Sequence, residues 1–240
     1  MILDIHAHII PGVDDGASNI SEALGLLKML KTQGVDAVIA TPHFYADTLN
    51  LDEYTQRVSQ SFAVLKQAAQ TQGLPELFLG YEVFYFNNMS NSDELKKLCI
   101  NQSRYILIEL PYADINDRIL NDIYNIQSNQ GLIPIIAHIE RYSKFRGFED
   151  LLRLIVNSDI EAQINADAVL GGPFKRISIK LILNEMCSYI ASDAHSVSKR
   201  PPMIAEAYKK IEKKFGPEAT RPFYRHGENL YRQLGQPVPV

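Results

Sequence analysis

The chain has 240 residues, 46% of them hydrophobic and 22% charged, and its 24 basic and 28 acidic side chains give a formal net charge of -4. This balance belongs to a globular protein with a sizeable core, and it excludes a disordered chain or one coated with positive charge for nucleic acid. The only cysteines, Cys99 and Cys187, are isolated, which excludes a disulfide framework and points to a reducing, cytoplasmic location.

From the N-terminus, Met1-Ile-Leu-Asp-Ile-His lacks the basic and apolar regions of a signal peptide, so no cleaved leader is expected. Short apolar, β-branched runs then recur at Ile2 to Ile5, Ala37 to Ala40, Leu77 to Leu79, Tyr105 to Leu110, Ile133 to Ala137, Ala162 to Ile164 and Tyr189 to Ala191. They read as buried strands and fall far short of the roughly 18 to 20 residues of a membrane span.

Helical stripes lie between them: Leu24, Leu27 and Leu30; Tyr54, Val58, Phe62 and Leu65; Ile119, Ile123 and Ile126; Phe148, Leu151, Leu152 and Ile155. Gly34, Gly73 and Gly131 stand where left-handed helix caps are wanted before the next strand. Alternating strands and helices imply a parallel sheet, and about seven β/α units approach barrel size. We therefore expect one α/β domain over residues 1–240, a closed or nearly closed barrel, with the proline-bearing segment from Gly216 to Val240 as a capping tail around one short helix.

Five of the six histidines directly follow an expected strand: His6 and His8 the first, His43 the second, His138 the fifth and His195 the seventh. In parallel β/α architectures the C-terminal strand ends converge on one face, so these imidazoles meet in one pocket. Carboxylates stand beside them: Asp14 and Asp15, Glu82, Glu109 and Asp193. His6 and His8, two apart on an extended segment, point to one side. A donor set of imidazole and carboxylate without thiolate suits Mn²⁺, Fe²⁺ or Zn²⁺, and nine such groups, counting one of Asp14 and Asp15, exceed what one ion uses. Clustered divalent ions are a recurrent means of hydrolysing phosphate esters. His226 has no such context and reads as a surface residue. Arg141 and Arg200 lie on loops leaving the same face, where guanidinium groups can bind phosphate oxygens. Tyr45, Tyr81 and Tyr142 are candidates for lining an aromatic pocket. Lys199 is given no role.

The stretches Asp4-Ile-His6-Ala-His8-Ile-Ile-Pro-Gly-Val-Asp14-Asp15-Gly16-Ala17, Ala40-Thr-Pro-His43, Gly80-Tyr-Glu82, Ile108-Glu109, Ala137-His138-Ile-Glu-Arg141-Tyr142 and Ser192-Asp193-Ala-His195 carry a resemblance. Together they resemble the polymerase and histidinol phosphatase (PHP) superfamily, and within it the capsule-associated, manganese-dependent bacterial protein-tyrosine phosphatases. The resemblance implies a distorted (β/α)7 barrel with three divalent ions, manganese foremost, at the C-terminal strand ends. It places His6, His8, Glu82 and Asp193 on one ion, Asp14, His43 and His138 on a second, and Glu82, Glu109 and His195 on a third. Asp14 rather than Asp15 is chosen from its spacing after His8.

The implied activity is hydrolysis of phosphotyrosine by a hydroxide held between the ions, on a bacterial tyrosine kinase with a tyrosine-rich tail that governs capsular or exopolysaccharide synthesis. The cysteine route to the same reaction needs Cys-x5-Arg, yet Tyr105 and Asp193 stand six residues after Cys99 and Cys187. A small-molecule phosphatase of the histidinol phosphate kind would share every ligand. A retired PHP domain would be expected to have lost ligands, and a nuclease is disfavoured by the acidic balance.

Overall fold

The computed structural model describes residues 1–234. All seven expected strands form: β1 (Leu3–Ala7), β2 (Ala37–Ala40), β4 (Glu76–Leu79), β6 (Tyr105–Glu109), β7 (Ile133–Ile136), β8 (Glu161–Asn165) and β9 (Tyr189–Ala191). Two short strands, β3 (His43–Phe44) and β5 (Glu82–Phe84), were not anticipated. Each continues the strand before it after a break. Pro42, which has no N–H for the ladder, stands in the first break and Gly80 in the second. Every pairing is parallel, in the orders β1-β2-β4 and β3-β5-β6-β7-β8-β9. Two backbone bonds join the ends: Asp193 N–H donates to the His6 carbonyl (2.8 Å) and His8 N–H to the Ala194 carbonyl (2.9 Å). The result is a distorted barrel of seven strands, two of them broken.

Helices α1 (Ile20–Thr32), α2 (Leu51–Thr71), α3 (Asp117–Gln130), α4 (Phe148–Val156), α5 (Ala166–Leu170), α6 (Lys175–Leu183), α7 (Ile204–Phe215) and α8 (Arg221–Gln233) complete the chain. Asn19, Asn50 and Asn116 cap α1, α2 and α3, each side-chain oxygen accepting a first-turn backbone N–H. The expected stripes of α3 and α4 are buried as read; on α1 the buried set is Ala23, Leu26, Leu27 and Leu30, with Leu24 only partly covered.

The core has two layers. Val38, Ile106, Ile108, Ile136 and Ile190 pack outward against the helices, while Leu3, Ile5, Ile39, Leu107, Ile135 and Tyr189 fill a separate interior cluster. Leu230 of α8 joins that interior set, so the C-terminal helix closes the end of the barrel opposite the strand C-termini. The capping role expected of the tail thus falls to α8, a helix of 13 residues; Pro237 and Pro239 lie outside the described residues. His226, read as a surface residue, is half-buried there. Its Nδ1 lies 3.3 Å from Glu161 Oε1 and its ring meets the edge of Tyr189.

Candidate metal centre

The register of β1 shifts between Asp4 and Ala7. A bulge of this kind re-aims side chains, so Leu3 and Ile5 face the interior and His6 and His8 still both enter it. Their Nε2 atoms stand 3.1 Å apart. His43 and Glu82 are register partners on β3 and β5, and Glu109 ends β6. His138 and Asp193 follow β7 and β9 with left-handed backbones, φ 31° and 49°. That conformation costs a non-glycine residue energy and recurs at functional sites.

All nine residues expected as ligands lie in or against one buried cluster at the C-terminal strand ends, though not in the expected grouping. His138 Nε2 lies 2.9 Å from Glu82 Oε1 and 3.6 Å from Glu109 Oε1. His195 Nε2 lies instead 3.5 Å from Asp15 Oδ1, and its ring stacks on His8 at 3.9 Å between centroids. The expected partition had these two histidines exchanged. The reason is closure of the barrel: β9 borders β1, so His195 meets His8, whereas β7 borders β6, so His138 meets Glu109.

The two adjacent aspartates take different places. Asp14 Oδ2 takes His8 Nδ1 (2.7 Å) and the His43 backbone N–H (3.1 Å), and Oδ1 takes Gly16 N–H (3.0 Å), so this carboxylate holds His8 from behind. Asp15, 65% exposed, presents Oδ1 to His43 Nε2 at 3.4 Å and to His195. Gly16, which follows them, lies tight against the His8 backbone: a Cβ there would lie 2.1 Å from the His8 carbonyl oxygen.

Three sets of donor atoms lie close enough to share an ion: His8, Asp15, His43 and His195; His6, His8 and Asp193; His43, Glu82 and Glu109. The second nitrogen of several rings is occupied, which turns the free lone pair inward. His6 Nδ1 faces Gln163 Oε1 (3.1 Å), His8 Nδ1 faces Asp14, and His195 Nδ1 faces the Asp193 carbonyl oxygen (2.8 Å). His43 Nδ1 lies 2.9 Å from Glu82 Oε2, which is 3.3 Å from the Nε2 atoms of His6 and His8, and His195 Nε2 is buried with no hydrogen bond among the described residues. Buried imidazole and carboxylate atoms crowded into one shared space in this way fit divalent cations.

The electrostatics agree. Burial opposes ionisation of Glu82 and Asp193, yet the surrounding histidines, His6 first, hold both below the usual carboxylate range. Burial also opposes the charge on His8, but its bonds to Asp14 and Glu82 lift it to about 10. Burial and then the charge of Glu82 push Glu109 up to about 7, while burial and the charge of His8 hold His195 down at about 4. Carboxylates that stay charged inside a protein need cations beside them.

Arg141 and Arg200 both reach the mouth, each donating an Nη2 hydrogen to Asp193 Oδ2, at 2.9 and 2.7 Å. Asn165 Nδ2 donates to the same oxygen at 2.8 Å. Gln163 donates to Asn165 and accepts from the His138 backbone N–H, so one polar chain runs from His6 to Asp193. Sequence reading missed both amides, since single polar residues in a strand carry no chemical signature. It also missed Tyr112, an exposed side chain whose hydroxyl donates to Glu109 Oε1 (3.1 Å) and accepts from Arg141 (2.9 Å). Of the expected tyrosines only Tyr45 is exposed, its ring 5.3 Å from His43. Tyr81 is buried beside Tyr54, and Tyr142 is buried beneath His138 with its hydroxyl on the Leu110 backbone.

A family model described as capsular polysaccharide synthesis, CpsB/CapC, matches residues 2–230. The chain belongs to the CpsB/CapC family. It is 32% identical to the candidate tyrosine-protein phosphatase CapC of Staphylococcus aureus, across 95% of this chain and 90% of that one. It is 28% identical to tyrosine-protein phosphatase YwqE of Bacillus subtilis, across 99% of this chain and 96% of that one. Its fold matches, with a TM-score of 0.81 at 26% identity, a crystal structure from work on YwqE of Bacillus subtilis and CpsB of Streptococcus pneumoniae, described as metal-dependent tyrosine phosphatases. That match covers 100% of this chain and 96% of the other. Histidinol phosphate phosphatase of Lactococcus lactis shares the fold at a TM-score of 0.54 and 12% identity, covering 89% of this chain and 93% of that one. Among the described residues of this CpsB/CapC member, no helix is long and apolar enough to cross a membrane.

Proposed function

We propose that this chain is a single-domain, metal-dependent protein-tyrosine phosphatase of the cytoplasm. Its substrate in this reading is phosphotyrosine on a bacterial tyrosine kinase that regulates capsular or exopolysaccharide synthesis. The observation that carries the reading is the convergence of imidazole and carboxylate atoms within ion-sharing distance at the strand ends of a CpsB/CapC chain. The proposed ligands are His6, His8, Glu82 and Asp193 for one ion, Asp15, His43 and His195 for a second, and Glu82, Glu109 and His138 for a third. Manganese is the proposed metal, with Fe²⁺ and Zn²⁺ compatible with the same donors.

Divalent ions bound here would acidify water and neutralise charge on phosphoryl oxygens. The chain's own residues supply the rest. Asp193 holds Arg141 and Arg200 side by side, and their remaining N–H groups would bind phosphoryl oxygens as charge builds on them. Tyr45 and Tyr112, both exposed, would flank a phenyl ring entering the mouth. The leaving phenolate has a pKa near 10, so departure needs no strong acid. No thiol takes part: both cysteines are buried, and burial pushes the Cys99 thiol up to about 12.

Turnover of a phosphotyrosine peptide compared with histidinol phosphate tests the reading, with His138→Ala as control. The expected result is hydrolysis of the peptide, lost in the variant. Turnover of histidinol phosphate alone would overturn the proposal in favour of the small-molecule activity.

A further inference from the structure

A groove of about 740 Å³ runs beside the metal centre on the same face of the barrel. Its floor is apolar, from Tyr85, Phe86, Pro111 and Ile119, and its walls carry Asp47, Asp114, Asp117 and Arg118. Three observations tie it to the centre. Tyr45, its ring tilted against that of His43, also meets Phe84, whose next residues Tyr85 and Phe86 line the groove. Tyr112, bonded to Glu109 and Arg141, stands between the lining residues Pro111 and Ala113. The groove also has a fixed wall: buried Asp122 of α3 accepts the Tyr85 hydroxyl (2.7 Å), the Ser90 hydroxyl (2.6 Å) and the Asn88 backbone N–H (3.1 Å).

A free phosphomonoester of metabolite size has no use for a prebuilt channel leading away from the reacting group, whereas a polypeptide does. Its charge is also informative. Asp114 is paired with Arg146 at 2.6 Å, but Asp47 and Asp117 make no ion pair among the described residues, so carboxylates outnumber guanidinium groups along the walls. This contrasts with the mouth, where Arg141 and Arg200 stand ready for an anion.

We propose that this groove seats the polypeptide flanking the phosphotyrosine and favours basic residues there. The inference rests on the phosphotyrosine reading above and adds to it the chemistry of the surrounding sequence. Lys or Arg beside the phosphotyrosine meets Asp47 and Asp117 while an apolar neighbour covers Phe86 and Pro111. Exposed charge pairs act mainly on encounter and specificity, so the preference is modest and carried by KM.

The test compares three substrates on the metal-loaded enzyme: a phosphotyrosine peptide with Lys and Arg flanks, the same peptide with Asp and Glu flanks, and free phosphotyrosine. The expected result is a preference of about three- to tenfold in kcat/KM for the basic peptide. Combined Asp47→Lys and Asp117→Asn substitution should abolish or invert it while turnover of free phosphotyrosine stays unchanged. Equal turnover of both peptides, or a wild-type preference for acidic flanks, overturns the groove assignment and leaves the phosphotyrosine reading intact if free phosphotyrosine is hydrolysed. Failure to hydrolyse any of the three overturns that reading, and the groove assignment with it.

Discussion

The two ends of the barrel are closed by opposite physics. At the end capped by α8, Leu230 enters the apolar interior beside Leu3, Ile5 and Tyr189, and the polar contact of His226 with Glu161 sits at the partly exposed edge. At the strand C-termini the barrel is filled instead by buried His6, His8, His138 and His195 with buried Glu82, Glu109 and Asp193, two of these residues in left-handed backbone. One end is stabilised by removing apolar surface from water, the other holds charge that only partners of opposite sign make tolerable. The second end is where a fold places chemistry, at a cost in stability that the first end helps to offset.

Substitutions at the two ends should therefore separate activity from stability. The largest effect is expected for Asp15→Ala, which removes a carboxylate facing His43 and His195. Phosphotyrosine turnover should fall by at least about 10³-fold with a melting temperature close to wild type in the metal-free protein, read by steady-state kinetics and calorimetry. Leu230→Ala should do the reverse, costing about 3 kcal/mol in chemical denaturation while leaving kcat nearly unchanged.

Glu140 gives a pH signature to the polar end. Burial comes first among the forces on it and lifts it to about 8, with Oε2 unpartnered. A carboxyl whose folded pKa is raised favours the folded state in its protonated form, so its contribution is complete below about pH 4.5 and is lost as pH rises through 8. Wild type should lose a few kcal/mol more stability than Glu140→Gln across that window, measured by urea unfolding at successive pH values. A parallel pH dependence for both proteins would show that Glu140 is not the group responsible. The smallest effect is expected for Asp14→Asn, which keeps the shape behind His8 but weakens its orientation: about 10- to 100-fold in activity or metal affinity, against the greater loss at Asp15. Equal losses at the two positions would contradict the division of labour between them.

Much of this contrast was legible in the sequence. Runs such as Ile133 to Ala137 announce buried strands, and five histidines placed after four such runs announce the reactive end. What could not be read depends on neighbours distant in the chain. His138 and His195 have similar local contexts, and only closure of β9 on β1 decides which carboxylate each faces. Asp14 and Asp15 are adjacent, and only the folded loop sets Asp14 behind His8 and Asp15 opposite His43 and His195. Gln163 and Asn165 look like ordinary strand residues until their partners His6 and Asp193 are in place. The groove beside the centre is likewise assembled from loops far apart in sequence, tied by Asp122.

The most direct test of the central claim is to strip the purified protein with a chelator, reload it separately with Mn²⁺, Zn²⁺ and Mg²⁺, and measure bound metal per chain beside phosphotyrosine-peptide turnover. The account predicts that activity vanishes with the metal, returns with Mn²⁺ and rises as more than one ion is bound per chain. Full turnover by metal-free protein, or saturation of activity at a single ion, would contradict it.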